Sequence, residues 1–337
     1  MSFRPFFRLL RDGRLTPLLG VGKELKAFYK LTYLAALGES GLLSLLATAP
    51  ATFDSIADFC AARGQGREAL EAWLQMGVRL RLLTTGTSGY SLIGIAKTLA
   101  RSENDAALAM VQEVAGLHHK LIADTVSKLR HGELWTLADQ DGELIARSSR
   151  ILEAFQTEAI QRTFPGQGAV RLLEIGCGSG IYLRHAAEHN LSLTALGMEL
   201  QPEVAAFART NLRTWGLESR VNVEDGDIRS KTPGESFDIA TLYNNIYYFP
   251  VADRVALLKH IGGFLKPGGF LLLTTCCQKG SLGAEALNLW GAATAGCGRL
   301  PSEDELVSQL REAGYGNVKT TNLLPGDRFM AFQAFRS

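Results

Sequence analysis

Apolar residues follow two different rhythms along this chain. Up to about Arg101 they recur at helical intervals, the spacing of helices buried along one side. In TFDSIADFCAARG, Ile56, Phe59 and Cys60 share that spacing and Gly64 ends it. In REALEAWLQMGVRLRLL, Leu70, Trp73 and Leu74 fall on one face. LLTTGTSGYSL then predicts a short hairpin around Gly86 and Gly89. Two helices and a hairpin in that order predict a winged helix. Helical spacing resumes from Glu103 to about Phe164, until Pro165 and Gly166 punctuate the chain.

Past Gly166 short β-rich runs alternate with helical ones. VRLLEI, LTALGM, RVNVED, FDIATLY and FLLLTT predict strands, with helices such as PEVAAFARTNLRTW and ADRVALLKHIGGFL between them. Pro202 stands near a helix start and Gly216 just past its end, as helix termini favour. This alternation predicts a doubly wound α/β sheet. VKTTNLL and RFMAFQAF have no helix between them and predict an antiparallel pair closing the sheet.

Composition narrows the function classes. The chain has 337 residues, 46% of them hydrophobic and 20% charged, with a net charge of +1. Such a balance supplies no global attraction to nucleic acid or acidic membranes. The exception is local: Arg4, Arg8, Arg11, Arg14, Lys23, Lys26 and Lys30 face only Asp12 and Glu24, as in a solvated or interface-forming arm. Five cysteines without a CxxC pair argue for neither a disulfide framework nor a zinc site, so no metal is expected. No signal-peptide core or membrane-spanning run is evident, and a reduced, cytoplasmic setting is the expectation.

The chemistry concentrates in RLLEIGCGSGIYL. In doubly wound sheets ligands bind at the carboxyl ends of the strands, where strand order reverses. Gly176, Gly178 and Gly180 let a backbone turn tightly beside a ligand. A phosphate loop of the GxxxxGK[ST] type is absent, and the dinucleotide fingerprint fails at Ile181, where a small residue is required. Glu174 ends the first strand just before the glycines; a carboxylate there repels a pyrophosphate and favours an ammonium or sulfonium. Glu199 follows the second strand, where an acid commonly accepts ribose hydroxyls. Asp227 follows the third and could accept from an exocyclic amine. Three acids around one glycine loop fit a cationic nucleoside, S-adenosylmethionine.

LLEIGCGSG, ALGMEL, EDGDI, FDIATLYNNIYYF and LKPGG resemble, in order, the motifs of class I S-adenosylmethionine-dependent methyltransferases, over residues 166–337. The preceding part resembles the winged-helix dimerisation region of larger plant and bacterial small-molecule O-methyltransferases. The resemblance implies a Rossmann-like catalytic domain at 166–337, a helical linker contributing to the acceptor pocket at 106–165, and a helical winged-helix dimerisation domain at 1–105. It implies a homodimer acting in secondary metabolism, with S-adenosyl-L-methionine as cofactor. Glu174 would face the methionine ammonium, Gly176, Gly178 and Gly180 the methionine and ribose, and Glu199, followed by Leu200, the ribose diol. Asp227 with Ile228 would flank the adenine, and Asn244 would sit beside the cofactor.

Methyl transfer from a sulfonium is a direct displacement that needs an aligned nucleophile and the management of one proton. The O-methyltransferases it resembles place a His just after the fourth strand, in a segment that here is NIYYFP, and its position falls at about Tyr247. Three readings stay open. Tyr247 or Tyr248 orients the acceptor without deprotonating it, since an ordinary tyrosine is a poor base near neutrality. The base is supplied by His118 or His119 in LHHKL. Or no strong base is needed, because the acceptor is an amine, an acidic phenol or an activated carbon. Arg150 could pair with an acceptor carboxylate, and Trp290, in an insert before the last helix, could belong to a lid over a flat acceptor. His260, His185 and His189 are expected on outer helix faces, and Cys276 and Cys277 as small buried residues.

The leading expectation is therefore methyl transfer to a small-molecule acceptor, possibly aromatic, with oxygen favoured over nitrogen or carbon. A DNA-reading winged helix is disfavoured by Glu68 and Glu71 beside Arg67, Arg79 and Arg81, so no nucleic-acid partner is expected, and no membrane partner either. A non-catalytic S-adenosylmethionine-binding regulator is the remaining alternative. A nicotinamide enzyme is disfavoured by Glu174 and Ile181.

Overall fold

A computed structural model describes residues 3–234 and 237–336. The chain forms two compact units, one of residues 1–119 and 141–151, the other of 120–140 and 152–337. The stretch 106–165 is thus shared between them.

The first unit is helical apart from one hairpin. Its core gathers Leu37, Leu42, Ile56, Leu74, Leu82 and Leu99. Strands β1 (Leu83–Gly86) and β2 (Gly89–Leu92) pair antiparallel, with Gly86 opposite Gly89, as the sequence predicts. Gly89 has φ +100°, and a Cβ there would strike the Ala51 backbone, which exchanges hydrogen bonds with Tyr90 at 3.0 and 2.8 Å. The hairpin is pinned to the chain before the helix Phe53–Phe59 for that reason. One expectation fails here: Ile56 and Ala57 form the buried side of that helix, whereas Phe59 and Cys60 are exposed. The helix stops at Phe59, one turn earlier than Gly64 would allow. The helix Leu15–Glu39 is the longest in this unit, and no single helix among the described residues is long and apolar enough to cross a membrane.

The second unit is built on a seven-stranded sheet. Its strands are β3 (Val170–Ile175), β4 (Leu193–Glu199), β5 (Val221–Asp225), β6 (Phe237–Tyr243), β7 (Leu265–Cys276), β8 (Tyr315–Asn322) and β9 (Phe329–Arg336). The order is β5-β4-β3-β6-β7-β9-β8, parallel from β5 to β7, with β9 antiparallel to both its neighbours. This is the predicted doubly wound sheet with its antiparallel close. Both faces are buried, which is why β3, β6 and β7 are nearly continuous apolar runs. Leu173, Leu242, Leu258, Leu271 and Phe332 build one core layer. Leu172, Leu183, Ala208, Leu272 and Ile160 build the other. Strand order reverses between β3 and β6, which opens a crevice at their carboxyl ends.

Candidate active site

The loop after β3 is folded by its glycines. Gly176, Gly178 and Gly180 have φ of +69°, +53° and +79°, the left-handed region that side chains disfavour. The N–H groups of Gly176 and Cys177 both donate to the Met198 carbonyl, at 2.8 and 3.1 Å, which clamps the loop to the end of β4. Gly180 precedes the helix Ile181–His189, so that helix starts at the crevice. A Cβ at Gly178 would meet nothing within 4 Å, leaving its backbone open to a ligand.

Two acids flank the loop in opposite states. Glu199 is engaged: Gly178 N–H donates to its Oε2 at 2.9 Å and Gln201 N–H to its Oε1 at 3.2 Å. Each oxygen keeps a further lone pair for a hydroxyl. Glu174 is 1% exposed, and neither carboxylate oxygen has a hydrogen-bond partner among the described residues. Burial, reinforced by the Glu199 charge, drives its pKa well above the ordinary carboxylate range. An unpartnered buried carboxylate beside an open glycine loop, with a second carboxylate one strand away, fits a ligand carrying both a cationic head and a diol.

The other expected ligand contacts occupy the same strand ends. Leu200 is 54% exposed just past β4. Ile228 is buried below the β5 loop. Asp227 corrects the picture of a waiting acceptor: Arg229 binds it in a fork, with Nε at 2.9 Å and Nη2 at 2.6 Å from Oδ2, and holds its carboxyl below the ordinary range. Asn244, with φ +50°, donates its N–H to the Thr274 carbonyl at 2.7 Å and turns the chain out of β6.

Its neighbour Asn245 escaped sequence reasoning. Asn245 Nδ2 donates to the Ile175 carbonyl at 2.8 Å, directly before the loop, and a Cβ at Gly176 would collide with that amide. Gln156 was missed too. It is 1% exposed on the helix Glu153–Thr163, accepts from Thr274 Oγ1 at 2.9 Å, and its Nε2 has no partner among the described residues. A polar residue in an otherwise apolar helix face was the only available signal.

After Asn245 a single 3-10 turn, Ile246–Tyr248, carries the two tyrosines. Tyr247 is 5% exposed and packs with Ala284 and Leu300. Tyr248 lies 4.8 Å from it, ring to ring, and its hydroxyl is 3.5 Å from Gln140 Oε1. Trp290 is not on a loop: it lies in the helix Leu282–Ala293, 1% exposed, 6.5 Å from the Trp135 ring, and its indole N–H has no partner among the described residues. The helix holding the apolar run ALNLWGAA forms because its Ala284, Trp290 and Ala293 are buried in the core, which the reading as an insert overlooked. Cys276 and Cys277 are thiols whose pKa burial lifts to about 12, as suits packing residues.

His118, His119 and Arg150 belong to the first unit. A single π-turn, Val114–His118, ends at His118, whose Nε2 is 3.2 Å from Glu113 Oε1. His119 is exposed and its ring lies 5.7 Å from Phe28. Arg150 is exposed near the Arg147–Asp105 pair, whose Asp105 charge it helps to stabilise. Three histidines expected on outer helix faces are held by distant partners instead. His260 contacts the Ile228 carbonyl at 2.9 Å, His185 Glu153 at 2.9 Å and His189 the Phe164 carbonyl at 3.1 Å. Helical spacing could not foresee these, because each partner lies 25 or more positions away.

Comparison with known proteins bears on the family and the fold. The sequence profile described as a methyltransferase domain matches residues 133–320. Demethylspheroidene O-methyltransferase of Cereibacter sphaeroides is 27% identical over 316 residues, covering 88% of this chain and 80% of that protein. Among solved structures, the mitomycin 7-O-methyltransferase MmcR superposes with a TM-score of 0.80 at 18% identity, covering 97% of this chain and 100% of that one. Human N-acetylserotonin methyltransferase in complex with SAM does so with a TM-score of 0.70 at 18% identity, covering 100% of both chains. At such identities these two likenesses establish the fold.

Proposed function

We propose that this chain, which belongs to the methyltransferase-domain family and is an enzyme using S-adenosylmethionine as methyl donor, methylates a hydroxyl on a small, flat acceptor. The observation that carries the donor site is the pairing of an engaged Glu199 with an unpartnered, buried Glu174 around one open glycine loop. When bound, the donor supplies an activated methyl on a sulfonium. Glu174 would hold the ammonium, the backbone of Gly176, Gly178 and Gly180 would pass along the methionine and ribose, and Glu199 would take the diol. Ile228 would pack on the adenine, Asp227 would offer its remaining lone pairs to the amine, Leu200 would cover the ribose edge and Asn244 would stand beside the sulfonium.

Tyr247, Tyr248 and Trp290 would form the acceptor side. Two adjacent aromatic rings tilted by 35°, and an indole N–H lacking a partner among the described residues, suit an aromatic acceptor with a polar substituent. Oxygen is favoured because a relative that matches 88% of this chain is itself an O-methyltransferase. No histidine occupies the segment after β6, so the proton is handled by His118 or His119, or leaves an acidic phenol unaided, with Tyr247 orienting the oxygen. Arg150 would serve an acceptor carboxylate. The winged-helix region and the exposed apolar residues of its first helices, among them Phe28 and Tyr29, suit pairing with a second copy, and we assign the enzyme to the cytoplasm and to secondary metabolism.

The test is titration calorimetry with S-adenosylhomocysteine and with NAD, followed by methyl transfer to a panel of phenols, amines and carboxylic acids. Binding of the first ligand alone and turnover of phenols are expected. Binding of NAD, or turnover confined to amines, overturns the reading.

A further inference from the structure

Glu174 does not stand alone. In the sheet register it lies beside Gly197 of β4 and Thr241 of β6, and Tyr243 is two positions further along the same face. Tyr243 pairs with Thr274, whose hydroxyl donates to Gln156. Five polar atoms are gathered here: both Glu174 oxygens, Thr241 Oγ1, Tyr243 Oη and Gln156 Nε2. Apart from a weak contact between the Tyr243 and Thr241 hydroxyls, none makes a hydrogen bond among the described residues, and all are buried. So many unpaired groups on adjacent positions are a built feature, since each buried one costs about 1–3 kcal/mol.

Among the described residues no cation pairs with this chamber. The titratable groups around it are Glu199 on β4, Cys177 on the loop, Tyr243 on β6 and Tyr182 on the helix Ile181–His189; behind them lie His185, 6.4 Å from the Tyr182 ring, and Arg209 on the helix Pro202–Thr214, whose charge acts on Cys177. Arg209 already binds Asp225 at 3.2 Å and His185 binds Glu153 at 2.9 Å. An ionised Glu174 would be an uncompensated buried charge, raised further by Glu199.

We propose that Glu174 carries a proton while the loop holds no ligand and surrenders it when a cationic head group docks, so that donor binding releases one proton to solvent. The ammonium of the ligand keeps its own proton, and the pair that forms is neutral overall. Thr241, Tyr243 and Gln156 supply the polar lining that lets the carboxyl exist in either state. The chamber would thereby select for positive charge: a neutral ligand cannot offset ionisation and would find only a neutral acid. This rests on the reading of the loop as the donor site.

Calorimetry of the full chain with S-adenosylhomocysteine near neutral pH, in phosphate and in Tris, counts protons through the different ionisation heats of the two buffers. Release of a measurable fraction of a proton, up to one, is expected, with affinity rising by up to about tenfold per pH unit over the same range. Glu174→Gln should abolish the buffer dependence, whereas Tyr243→Phe, which keeps the carboxyl, should preserve it. Wild-type binding with the same apparent heat in both buffers overturns the proposal even if Glu174→Gln fails to fold. Absence of any binding overturns the donor site itself, a separate outcome.

Discussion

The backbone N–H of Gly178 donates to Glu199 Oε2 at 2.9 Å, which ties the glycine loop to the end of β4 across 21 positions of sequence. Glu199 therefore shapes the loop, and in the proposed donor site it also takes the ribose diol. Glu199→Ala should weaken S-adenosylhomocysteine about tenfold or more, since hydrogen bonds to charged groups contribute about 1.5–3 kcal/mol. Titration calorimetry measures this, and unchanged affinity would reduce Glu199 to a brace.

Glu174 has a raised pKa from burial, so its sign is that of an acid kept neutral by the fold. Its stabilising contribution is complete below the ordinary carboxylate range and is lost as pH rises toward the raised value. The ligand-free protein should melt at lower temperature at about pH 8 than at about pH 5, and Glu174→Gln should flatten that trend, gaining roughly 2–4 °C at the higher pH for each kcal/mol recovered. Parallel melting curves for the two proteins would contradict a protonated Glu174.

The tyrosines and His118 separate by kinetics. Tyr248→Phe removes a hydroxyl 3.5 Å from Gln140 and should raise the acceptor KM several-fold, about 3–10, with little change in kcat. With His118 as the proposed base, His118→Ala should lower kcat about a hundredfold, while Tyr247→Phe should change kcat only several-fold. A hundredfold loss of kcat in Tyr247→Phe with His118→Ala near wild type would move the base to the tyrosine.

Trp290 contributes a buried N–H without a partner among the described residues. Trp290→Phe removes that donor but leaves a cavity where a fully buried indole stood, so the melting temperature should fall, and an acceptor that uses that N–H would also bind more weakly. A fall in melting temperature with unchanged KM would make Trp290 a packing residue only.

In the first unit, Arg147 grips Asp105 through Nε at 3.1 Å and Nη2 at 2.6 Å, and this hydrogen bonding holds the Asp105 carboxyl below its ordinary range. The pair is about one-third exposed, so Asp105→Ala should cost only about 1 kcal/mol by denaturant unfolding. Its contribution is present above the ordinary carboxylate range and is lost as pH falls through the depressed value, so the wild-type advantage should vanish in acid.

The sequence by itself determined the order of strands and helices, the antiparallel close of the sheet, the hairpin, and the acids at successive strand ends. These follow from periodicity and from the rule that α/β ligands bind where strands end, both of which are local or topological. The tertiary structure decided which polar atoms are satisfied. Glu199 is engaged and Glu174 has no hydrogen-bond partner among the described residues, although both look alike as acids beside a glycine loop. Asp227 was claimed by Arg229 only two residues on, because a fork of two hydrogen bonds fits that turn. Asn245, Gln156 and the contacts of His185, His189 and His260 join residues 25 to 118 positions apart. Pairing at that distance depends on how helices settle on the sheet, and hydrophobic spacing fixes only which side of each helix is buried.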